Sequence, residues 1–515
     1  MIHRNKISLV LLGCCLLICS SLLEAQKQDY VWMLGMNRGA EPGIQAYHFD
    51  FNIVPFDPIP STNAFAFGGK NASICDIEGN LQFYTNGCAV ANRDHEVMVN
   101  GDSINAGNFF DLFWDDCTTF GYPGFQNTLI LKDPANSTGY YIIHKPRIYD
   151  LEIHNRVFLR DLLYTYVDMA LDEGRGAVTQ KNQVFHSDLM IPSSYLVAIS
   201  NANGKDWWIL QPVRDTNLMY TFLLDDFGIQ QFPSQELEVK FHDLSGATGT
   251  SSFSPDGKKY AYFSKYHQLL IFDFDRQSGT LSNMKTIVVR DLDPADIIWS
   301  SIEWSPNSRF IYVATDLYLH QVDILADPLQ DGVEFIDEYD GTRDPFSTRL
   351  FLMAQAPDCR IYMCPTSSTN SYHVINYPDR KGKACHFVQN GVRLPRTSGV
   401  ASFPNFPRWR VDEEDKCDSS IVSMLGEPVH YVRKMQVWPN PASYELYLDT
   451  PEDVPGDVYI MDMQGRPLLR QKVDQVSSGR PIDISGLPTG GYIVEFYPSN
   501  PAERLIWSGK VVVQR

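Results

Sequence analysis

Four consecutive residues, Arg93-Asp94-His95-Glu96, invite a metal-binding or acid–base site. Carboxylate and imidazole groups are metal ligands and proton carriers. Successive side chains of a strand point to opposite faces, so Asp94, His95 and Glu96 cannot converge on one ion without an irregular backbone. We therefore expect a solvated loop here, and we predict no catalytic, metal-binding or cofactor-binding residues and no cofactor.

Other patterns of enzyme chemistry are missing from the sequence. There is no Cys-x-x-Cys pair and no His-Glu-x-x-His. There is also no Gly-x-Ser-x-Gly elbow and no phosphate-cradling glycine loop, and isolated His and Asp residues suggest no triad. The Trp207-Trp208 pair is most simply core packing, with a carbohydrate-stacking platform as the alternative.

The cysteines suggest disulfides if the chain is exported. Cys359 and Cys364 lie five residues apart on one predicted strand, about 16 Å, which is too far for a disulfide between them. We predict pairs between Cys88 and Cys117 and between Cys359 and Cys385, with buried free thiols as the alternative.

The elements that must position these residues are short strands joined by turns. Ser254-Pro255-Asp256-Gly257 lies between two alternating apolar runs, which is typical of a hairpin because Gly tolerates a positive φ. The phrase returns twice, so that Pro255, Pro306 and Pro357 are each 51 residues apart. A fixed period of about 50 residues made of strands and turns predicts a β-propeller.

Three looser copies precede these hairpins. Polar turns stand before the strands at Trp207, Tyr140 and Leu81, which brings the total to six turn-plus-strand units. A seventh blade is predicted by joining the early strand 30–35 to the late segment 387–409, which removes exposed sheet edges. Six or eight blades remain alternatives.

The N-terminus predicts export. Arg4 and Lys6 precede an apolar run and small residues, which is typical of a signal peptide over residues 1–25 cleaved between Ala25 and Gln26. A lipoprotein signal ending at Cys14 or Cys19 is the alternative. No later stretch is apolar enough for a membrane span.

The composition excludes some partners. The net charge of −19 and the lack of a clustered basic surface argue against nucleic-acid binding. The hydrophobic fraction of 44% and aromatic fraction of 12% suit a folded all-β protein, which we expect to be a monomer.

The sequence becomes acidic and polar from residue 411. We predict a propeller over 26–410, an acidic linker over 411–434 and a small immunoglobulin-like β-sandwich over 435–515. The fold class is therefore all-β, with a seven-bladed propeller followed by the sandwich.

The last segment carries recognisable motifs. The residues that define them are Pro439, Asn440, Pro441, Gly465, Gly490, Gly491, Tyr492, Lys510, Val511 and Val513. Together these motifs resemble the type A C-terminal sorting domain of type IX secretion cargo. The resemblance implies a Bacteroidetes-type envelope, recognition by the type IX secretion machinery, and a secreted or cell-surface location.

The region before the tail, through phrases such as Pro404-Asn405-Phe406-Pro407, resembles the secreted propellers that often precede such domains. That family is defined by fold and supplies no catalytic residues. Asp102-Ser103-Ile104 fits the O-glycosylation pattern of the same phylum, which implies a sugar on Ser103.

Three functions are open at this point. The first is a non-catalytic exported propeller that binds an unknown protein or glycan ligand. The second is a secreted hydrolase, lactonase-like or glycan-cleaving, with its site at the channel mouth; the phrase from Phe272 to Leu281 resembles lactonase-type blades but is structural there. The third is a periplasmic assembly factor, against which the sorting tail argues.

Overall fold

The structure is a computed structural model, and it describes part of the chain. The described residues are 26–36, 44–53, 56–113, 121–150, 156–241, 249–264, 268–289, 299–399, 402–411, 431–434, 436–449, 455–462, 467–473, 481–498 and 505–514. The predicted signal peptide, with Ala25, lies outside these residues.

The described strands before residue 400 form seven small antiparallel groups, the blades, in chain order, and a short parallel pairing joins the first and last groups in one seven-stranded sheet. Blade 1 has β1 (Val31–Gly35), β2 (Ile44–Asp50) and β3 (Ile59–Ser61); blade 2 has β4 (Ala72–Cys75), β5 (Leu81–Thr85) and β6 (Val90–Asn92); blade 3 has β7 (Thr128–Lys132), β8 (Gly139–His144), β9 (Ile148–Asp150), β10 (Arg156–Asp168) and β11 (Ala177–Ile191); blade 4 has β12 (Val197–Ser200), β13 (Trp207–Pro212), β14 (Leu218–Asp225), β15 (Gly228–Gln231) and β16 (Gln235–Glu236). Blade 5 has β17 (Ser251–Phe253), β18 (Lys259–Ser264), β19 (Gln268–Asp275) and β20 (Thr280–Val288); blade 6 has β21 (Ser300–Trp304), β22 (Phe310–Thr315), β23 (Tyr318–Asp323) and β24 (Val333–Glu338); blade 7 has β25 (Met353–Gln355), β26 (Ile361–Met363), β27 (Thr369–Ile375) and β28 (Phe387–Ser398).

Helical structure is confined to connections in the part of the chain described. The helix α1 spans Asn108–Phe113, and short 3-10 helices span Asp172–Gly174, Leu329–Gly332 and Gly382–Cys385.

The blades form a closed ring because their first strands lie side by side. β1 neighbours β4, β4 neighbours β7, and β12, β17, β21 and β25 follow one another. Blades 3 and 4 are joined by the indole Nε1 of Trp207, which donates to the carbonyl oxygen of Lys132 at 3.1 Å. Blades 7 and 1 meet where the rings of Trp32 and Tyr362 pack edge to face, with centroids 6.2 Å apart. The ring therefore has seven blades, as the sequence predicts.

The 51-residue repeat corresponds to one turn that occupies the same place in three blades. The turns at Gly257, Ser308 and Cys359 join the first and second strands of blades 5, 6 and 7. In each turn this residue has a positive φ of 70°, 60° or 64° and its amide donates to the carbonyl three residues before. The equivalence of these turns is confirmed, even though only one of the three is glycine.

The early and late strands close the ring through β2. β1 pairs with β2 in its own blade, and β28 completes blade 7. β2 and β28 pair in parallel where Ile44 and Gln45 lie opposite Thr397 and Ser398, and the hydroxyl of Tyr47 donates to the carbonyl of Arg396 at 2.9 Å. The prediction that the early strand 30–35 joins the late segment 387–409 therefore holds through β2, which links β1 to β28 in one seven-stranded sheet, while direct pairing of β1 with the late segment does not occur among the described strands. The sequence pattern did not reveal that β2 pairs with β1. Residues 37–43, which connect the two strands, lie outside the described residues.

The cores of the ring lie between adjacent blades. Trp304 of β21 is fully buried and packs with Phe263 and Ile271 of the preceding blade. Trp32 of β1 packs with Phe49 of its own blade and with Tyr362 of blade 7. Each blade thus buries its two faces against its neighbours, which is why no blade is a folding unit alone.

The C-terminal segment forms a separate two-layer β-domain. A five-stranded sheet contains β29 (Tyr431–Lys434), β32 (Gly456–Asp462), β33 (Pro467–Val473), β35 (Gly490–Pro498) and β36 (Leu505–Val513); a three-stranded sheet contains β30 (Gln436–Trp438), β31 (Glu445–Asp449) and β34 (Ile482–Asp483). Buried side chains from both sheets, among them Leu446, Val458 and Val494, make one core. The predicted β-domain is confirmed, while its immunoglobulin-like character stays a prediction.

The cysteines separate into two groups. Cys75, Cys364 and Cys385 are buried free thiols. Cys88 and Cys359 are disulfide-bonded. The predicted pairing of Cys359 with Cys385 is therefore wrong, because Cys359 lies in an interstrand turn whereas Cys385 packs in the core between blades 6 and 7.

We predict that Cys88 is bonded to Cys117, which lies outside the described residues. Cys88 packs against Phe109 and Tyr122, which flank the segment that contains Cys117. Closing a loop of about 30 residues is worth roughly 3 kcal/mol, so Cys88→Ala should lower the free energy of unfolding by about that amount. Mass spectrometry of non-reduced peptides checks the pairing, and a free thiol on Cys117 would exclude it.

The stability of the propeller should fall in mild acid. His373 of β27 is fully buried, and burial lowers its pKa to about 4, below the ordinary 6.5. The unfolded chain therefore takes up the proton first, and the stability present above pH 6.5 is lost as the pH falls towards 4. Between pH 7.5 and 4.5 this group alone should cost about 2.5 kcal/mol.

The measurement is urea unfolding at both pH values. His373→Asn keeps an acceptor for the amide of Asn390, which bonds Nδ1 of His373 at 3.0 Å. This variant should lose less stability on acidification than the parent protein. An equal loss in both proteins would contradict the assignment.

Candidate functional site

The centre of the ring is occupied by the chain itself. Residues 402–411, which we call the axial segment, follow blade 7 and run beside the first strands of the blades. Arg408 pairs in parallel with Ile199 of β12, so the segment runs in the same direction as the inner strands. The central channel expected of a propeller is therefore partly filled by the axial segment.

Two asparagines attach the axial segment to blades 1 to 4. Nδ2 of Asn71 donates to the carbonyls of Met33 at 2.7 Å and Ser402 at 3.0 Å. Nδ2 of Asn405 donates to the carbonyls of Thr128 at 3.0 Å and Leu196 at 3.1 Å. The amide of Asn405 also donates to the carbonyl of Asn71 at 2.8 Å. These bonds satisfy backbone carbonyls near the start of the innermost strands, which have no neighbouring strand on the side that faces the axis.

Aromatic residues of the axial segment complete the neighbouring cores. The ring of Phe403 lies 5.2 Å from that of Trp32 and 5.6 Å from that of Tyr372. Trp409 packs edge to face on Trp207 with centroids 4.7 Å apart. The segment is thus held by apolar burial as well as by hydrogen bonds.

Arg408 bridges the remaining three blades. Its Nη1 donates to Oε1 of Gln355 in blade 7 at 3.1 Å. Its Nη2 donates to Oγ of Ser252 in blade 5 at 3.0 Å and to Oε1 of Glu303 in blade 6 at 2.9 Å. The Arg408 side chain is 18% exposed and that of Glu303 12% exposed, so this ion pair is largely removed from water.

A second ion pair closes one end of the axis. The guanidinium of Arg410 makes a two-pronged contact with the carboxylate of Asp29, at 2.5 and 2.7 Å. Such fork-to-fork pairs are directional as well as strong. This contact ties the end of the axial segment to the beginning of the described chain.

A cavity of about 100 Å³ lies beside the axial segment. Its polar wall includes Gln126, Ser252, Glu303, Gln355, Asn405 and Arg408. Phe253, Leu352, Phe403 and Phe406 contribute apolar surface to the same wall. With Arg408 and Glu303 paired, the cavity combines hydrogen-bonding groups with a balanced charge.

The sequence-level candidates for metal binding do not form a site. The ring nitrogen Nδ1 of His95 lies 3.1 Å from the hydroxyl of Tyr84, and Glu96 lies 3.9 Å from Arg175. The backbone amide of Asp94 donates a hydrogen bond to Oδ1 of Asn92. Among the described residues no group of three or more His, Cys, Asp or Glu side chains is arranged to hold a metal ion.

Trp207 and Trp208 are core residues. They are 5% and 1% exposed, and the indole Nε1 of Trp208 donates to the carbonyl of Arg276 at 2.7 Å. The packing interpretation is confirmed, and the carbohydrate platform is excluded at these two residues because their faces are covered.

A strongly shifted pKa belongs to Lys70, which lies between the cavity-lining residues Gly69 and Asn71. Burial, followed by the nearby charges of Lys145 and Arg147, holds the pKa of Lys70 well below its usual range. Nζ of Lys145 donates to the carbonyl of Ser194 at 2.7 Å and to Oε1 of Gln211 at 2.9 Å. The amino groups of Lys70 and Lys145 thus both donate to carbonyl groups inside the fold, Lys70 to that of Lys145, and are structural.

In the C-terminal domain the two ends of the predicted motif meet. Nδ2 of Asn440 donates to the carbonyl of Lys510 at 2.9 Å, and its Oδ1 accepts from the amide of Val512 at 2.9 Å. The amide of Ala442 donates to the carbonyl of Val512 at 2.8 Å. The Pro439–Ala442 segment therefore covers the edge of the last strand, which explains why these motifs occur together.

The other predicted sorting residues occupy less specific positions. Val511 and Val513 are buried, and Tyr492 is 5% exposed in the same core. Gly490 and Gly491 lie at the start of β35 without a positive φ, opposite Val513 and Val512. Pro441 is exposed, and Gly465 lies outside the described residues.

Two further predictions concern exposed residues. Ser103 is exposed, and its Oγ donates to Oδ2 of Asp102 at 3.0 Å, so its modification stays a prediction. Gln26 begins the described chain, and its carbonyl accepts from Nη1 of Arg410 at 3.2 Å. The cleavage before it stays a prediction.

Comparison with known families identifies the tail. Residues 436–512 match the secretion system C-terminal sorting domain. The predicted sorting domain is confirmed, and the protein is secreted or at the cell surface. In the described part of the chain, the helices are too short or too polar to cross a membrane.

Several solved structures are similar to the chain at low sequence identity. No curated protein matches it in sequence. A protein from Lactobacillus plantarum is 14% identical, with a TM-score of 0.41, and the match covers 73% of this chain and 99% of that one. The periplasmic gluconolactonase PpgL of Pseudomonas aeruginosa is 12% identical, with a TM-score of 0.32 and coverage of 73% and 99%.

A third similar structure is the β-propeller domain of Cps50 (Swd1) from Myceliophteria thermophila. It is 10% identical, with a TM-score of 0.33, and the match covers 62% of this chain and 87% of that one. Similarities of this size carry no conclusion about activity.

Removal of the Asn405 side chain should destabilise the propeller. Asn405→Ala leaves the carbonyls of Thr128 and Leu196 without their donor, and each unpaired buried carbonyl costs about 1–3 kcal/mol, so we expect a loss of about 2–4 kcal/mol. Denaturant unfolding measures this. Asn217→Ala, an exposed residue in the turn between β13 and β14, is the control and should change stability by less than about 0.5 kcal/mol. Equal effects would show that the axial segment does not stabilise the ring.

Proposed function

We propose that this protein is an exported, non-catalytic propeller that binds a protein or glycan partner outside the cell. The observation that carries the proposal is the axial segment. In the hydrolase alternative, the channel mouth receives the substrate and its carboxylate or imidazole groups act on it. Here the axis is occupied by residues 402–411, and its charged groups are engaged in pairs within the protein.

The sorting domain supports the export step. Its core is separate from those of the propeller, and its last strand is paired with β35 and partly with β29. We infer that the type IX secretion machinery recognises this folded domain as a unit. The propeller is then the cargo, and its surfaces meet the partner after export.

A binding screen tests the first proposal. The purified protein would be applied to a glycan array and used to capture surface proteins in a cross-linking experiment. Saturable binding in either assay supports a binding function. Turnover of lactone or glycoside substrates, together with no saturable partner, would favour the hydrolase instead.

Deletion of residues 510–515 should block export. The deletion removes the buried side chains Val511 and Val513 and the carbonyl and amide that Asn440 bonds, and it exposes the edge of β35. We expect the protein to accumulate in the periplasm with a folded propeller. Cell fractionation measures its location, and protease resistance of the propeller fragment reports its fold.

A matched control is Thr489→Ala, which changes an exposed residue of the same domain and should leave export intact. Normal amounts of the deletion variant at the surface or in the medium would contradict the role of the last strand.

A further inference from the structure

The axial segment does not fill the centre of the ring evenly. Its backbone bonds to Asn71 after blade 1 and to Ala198 in blade 4, and Trp409 packs on Trp207. Among the described residues its side-chain hydrogen bonds to blades 5, 6 and 7 come from Arg408, while Phe403 packs on Tyr372 of blade 7. The cavity described above lies beside this guanidinium.

Three polar atoms of cavity residues keep unused hydrogen-bonding capacity. Nε2 of Gln355 is a donor, whereas Oε2 of Glu303 and Oδ1 of Asn405 are acceptors. In the described part of the chain none of these atoms makes a hydrogen bond, although the other polar atom of each group does. All three residues line the cavity, so its wall offers one donor and two acceptors.

The charge of the site selects against ions. The guanidinium of Arg408 is neutralised by the carboxylate of Glu303 at 2.9 Å. An anion would compete with Glu303 and a cation would compete with Arg408, and each would leave a largely buried charge unpaired. A neutral ligand that both donates and accepts hydrogen bonds avoids this cost.

Sugar hydroxyl groups have this property, since each one donates one hydrogen bond and accepts others. A sugar ring also has an apolar C–H face, which suits the wall made by Phe253, Leu352 and Phe406. The volume of about 100 Å³ suits the hydroxyl edge of one unit and not an internal stretch of a polysaccharide.

We propose that the axial cavity binds a neutral terminal sugar unit of a glycan, with Gln355, Glu303 and Asn405 bonding its hydroxyl groups. Arg408 is a positioning residue that holds Glu303 and Gln355 in place. This inference rests on the proposed binding function and assigns it a ligand class and a site.

The test is a titration of the purified full-length protein with a panel of neutral monosaccharides and their methyl glycosides, followed by saturation-transfer NMR. Gln355→Leu keeps the size of the side chain but removes its donor. It should weaken binding of the best sugar at least about 10-fold, which is about 1.4 kcal/mol. Gln230→Leu, an exposed change in blade 4, is the control and should leave binding unchanged.

Glu303→Gln provides a second variant, and it should also weaken binding. Should that protein fail to fold, Gln355→Leu alone decides the question. Failure of every neutral sugar to bind the parent protein would overturn the proposal. Equal binding by Gln355→Leu and the parent protein would also overturn it.

These outcomes are distinct from failure of the proposed function. Capture of a protein partner, or glycan binding that Gln355→Leu does not alter, keeps the binding function and rejects the cavity as the site. Tighter binding of acidic sugars than of neutral ones would reject the charge argument.

Discussion

The propeller depends on one constraint, which is that ten residues after the last blade must lie along its axis. In a propeller each inner strand faces the axis with backbone and side-chain groups that have no neighbouring strand. Asn405 bonds carbonyls of blades 3 and 4, and Arg408 bonds side chains of blades 5, 6 and 7. One segment therefore connects blades that are far apart in sequence, and ring closure does not rest on strand pairing alone.

The contacts of the axial segment explain how the ring closes although the first and last blades share only a short strand pairing in the described residues. Among the described residues the backbone pairing of β2 with β28 is limited to Ile44 and Gln45, a short contact for the closure of a large ring, and the Tyr47 hydroxyl adds a bond to the carbonyl of Arg396. Trp32 adds apolar contact with Tyr362, Phe403 and Phe406 at the same junction. The ion pair of Arg410 with Asp29 then connects the two ends of the propeller sequence directly.

The same segment shapes the chemistry of the centre. By occupying one side of the axis, it turns a channel into a cavity and supplies part of its wall through Asn405 and Arg408. The charged groups of the cavity are paired, which favours recognition of neutral polar groups over acid–base chemistry. The C-terminal domain contributes the export function from a core of its own.

Local patterns in the sequence determined the repeat, the turn positions and the sorting domain. The 51-residue spacing of the hairpins follows from short-range turn chemistry, and the tail motifs are contiguous in the chain. The axial site was not predictable in this way. Ser252, Glu303, Gln355 and Arg408 lie on separate blades and on the axial segment, and nothing in their local sequences distinguishes them. Only the closed ring brings them within hydrogen-bonding distance, just as only tertiary packing determined that Cys385 is a buried thiol and that β1 pairs with β2.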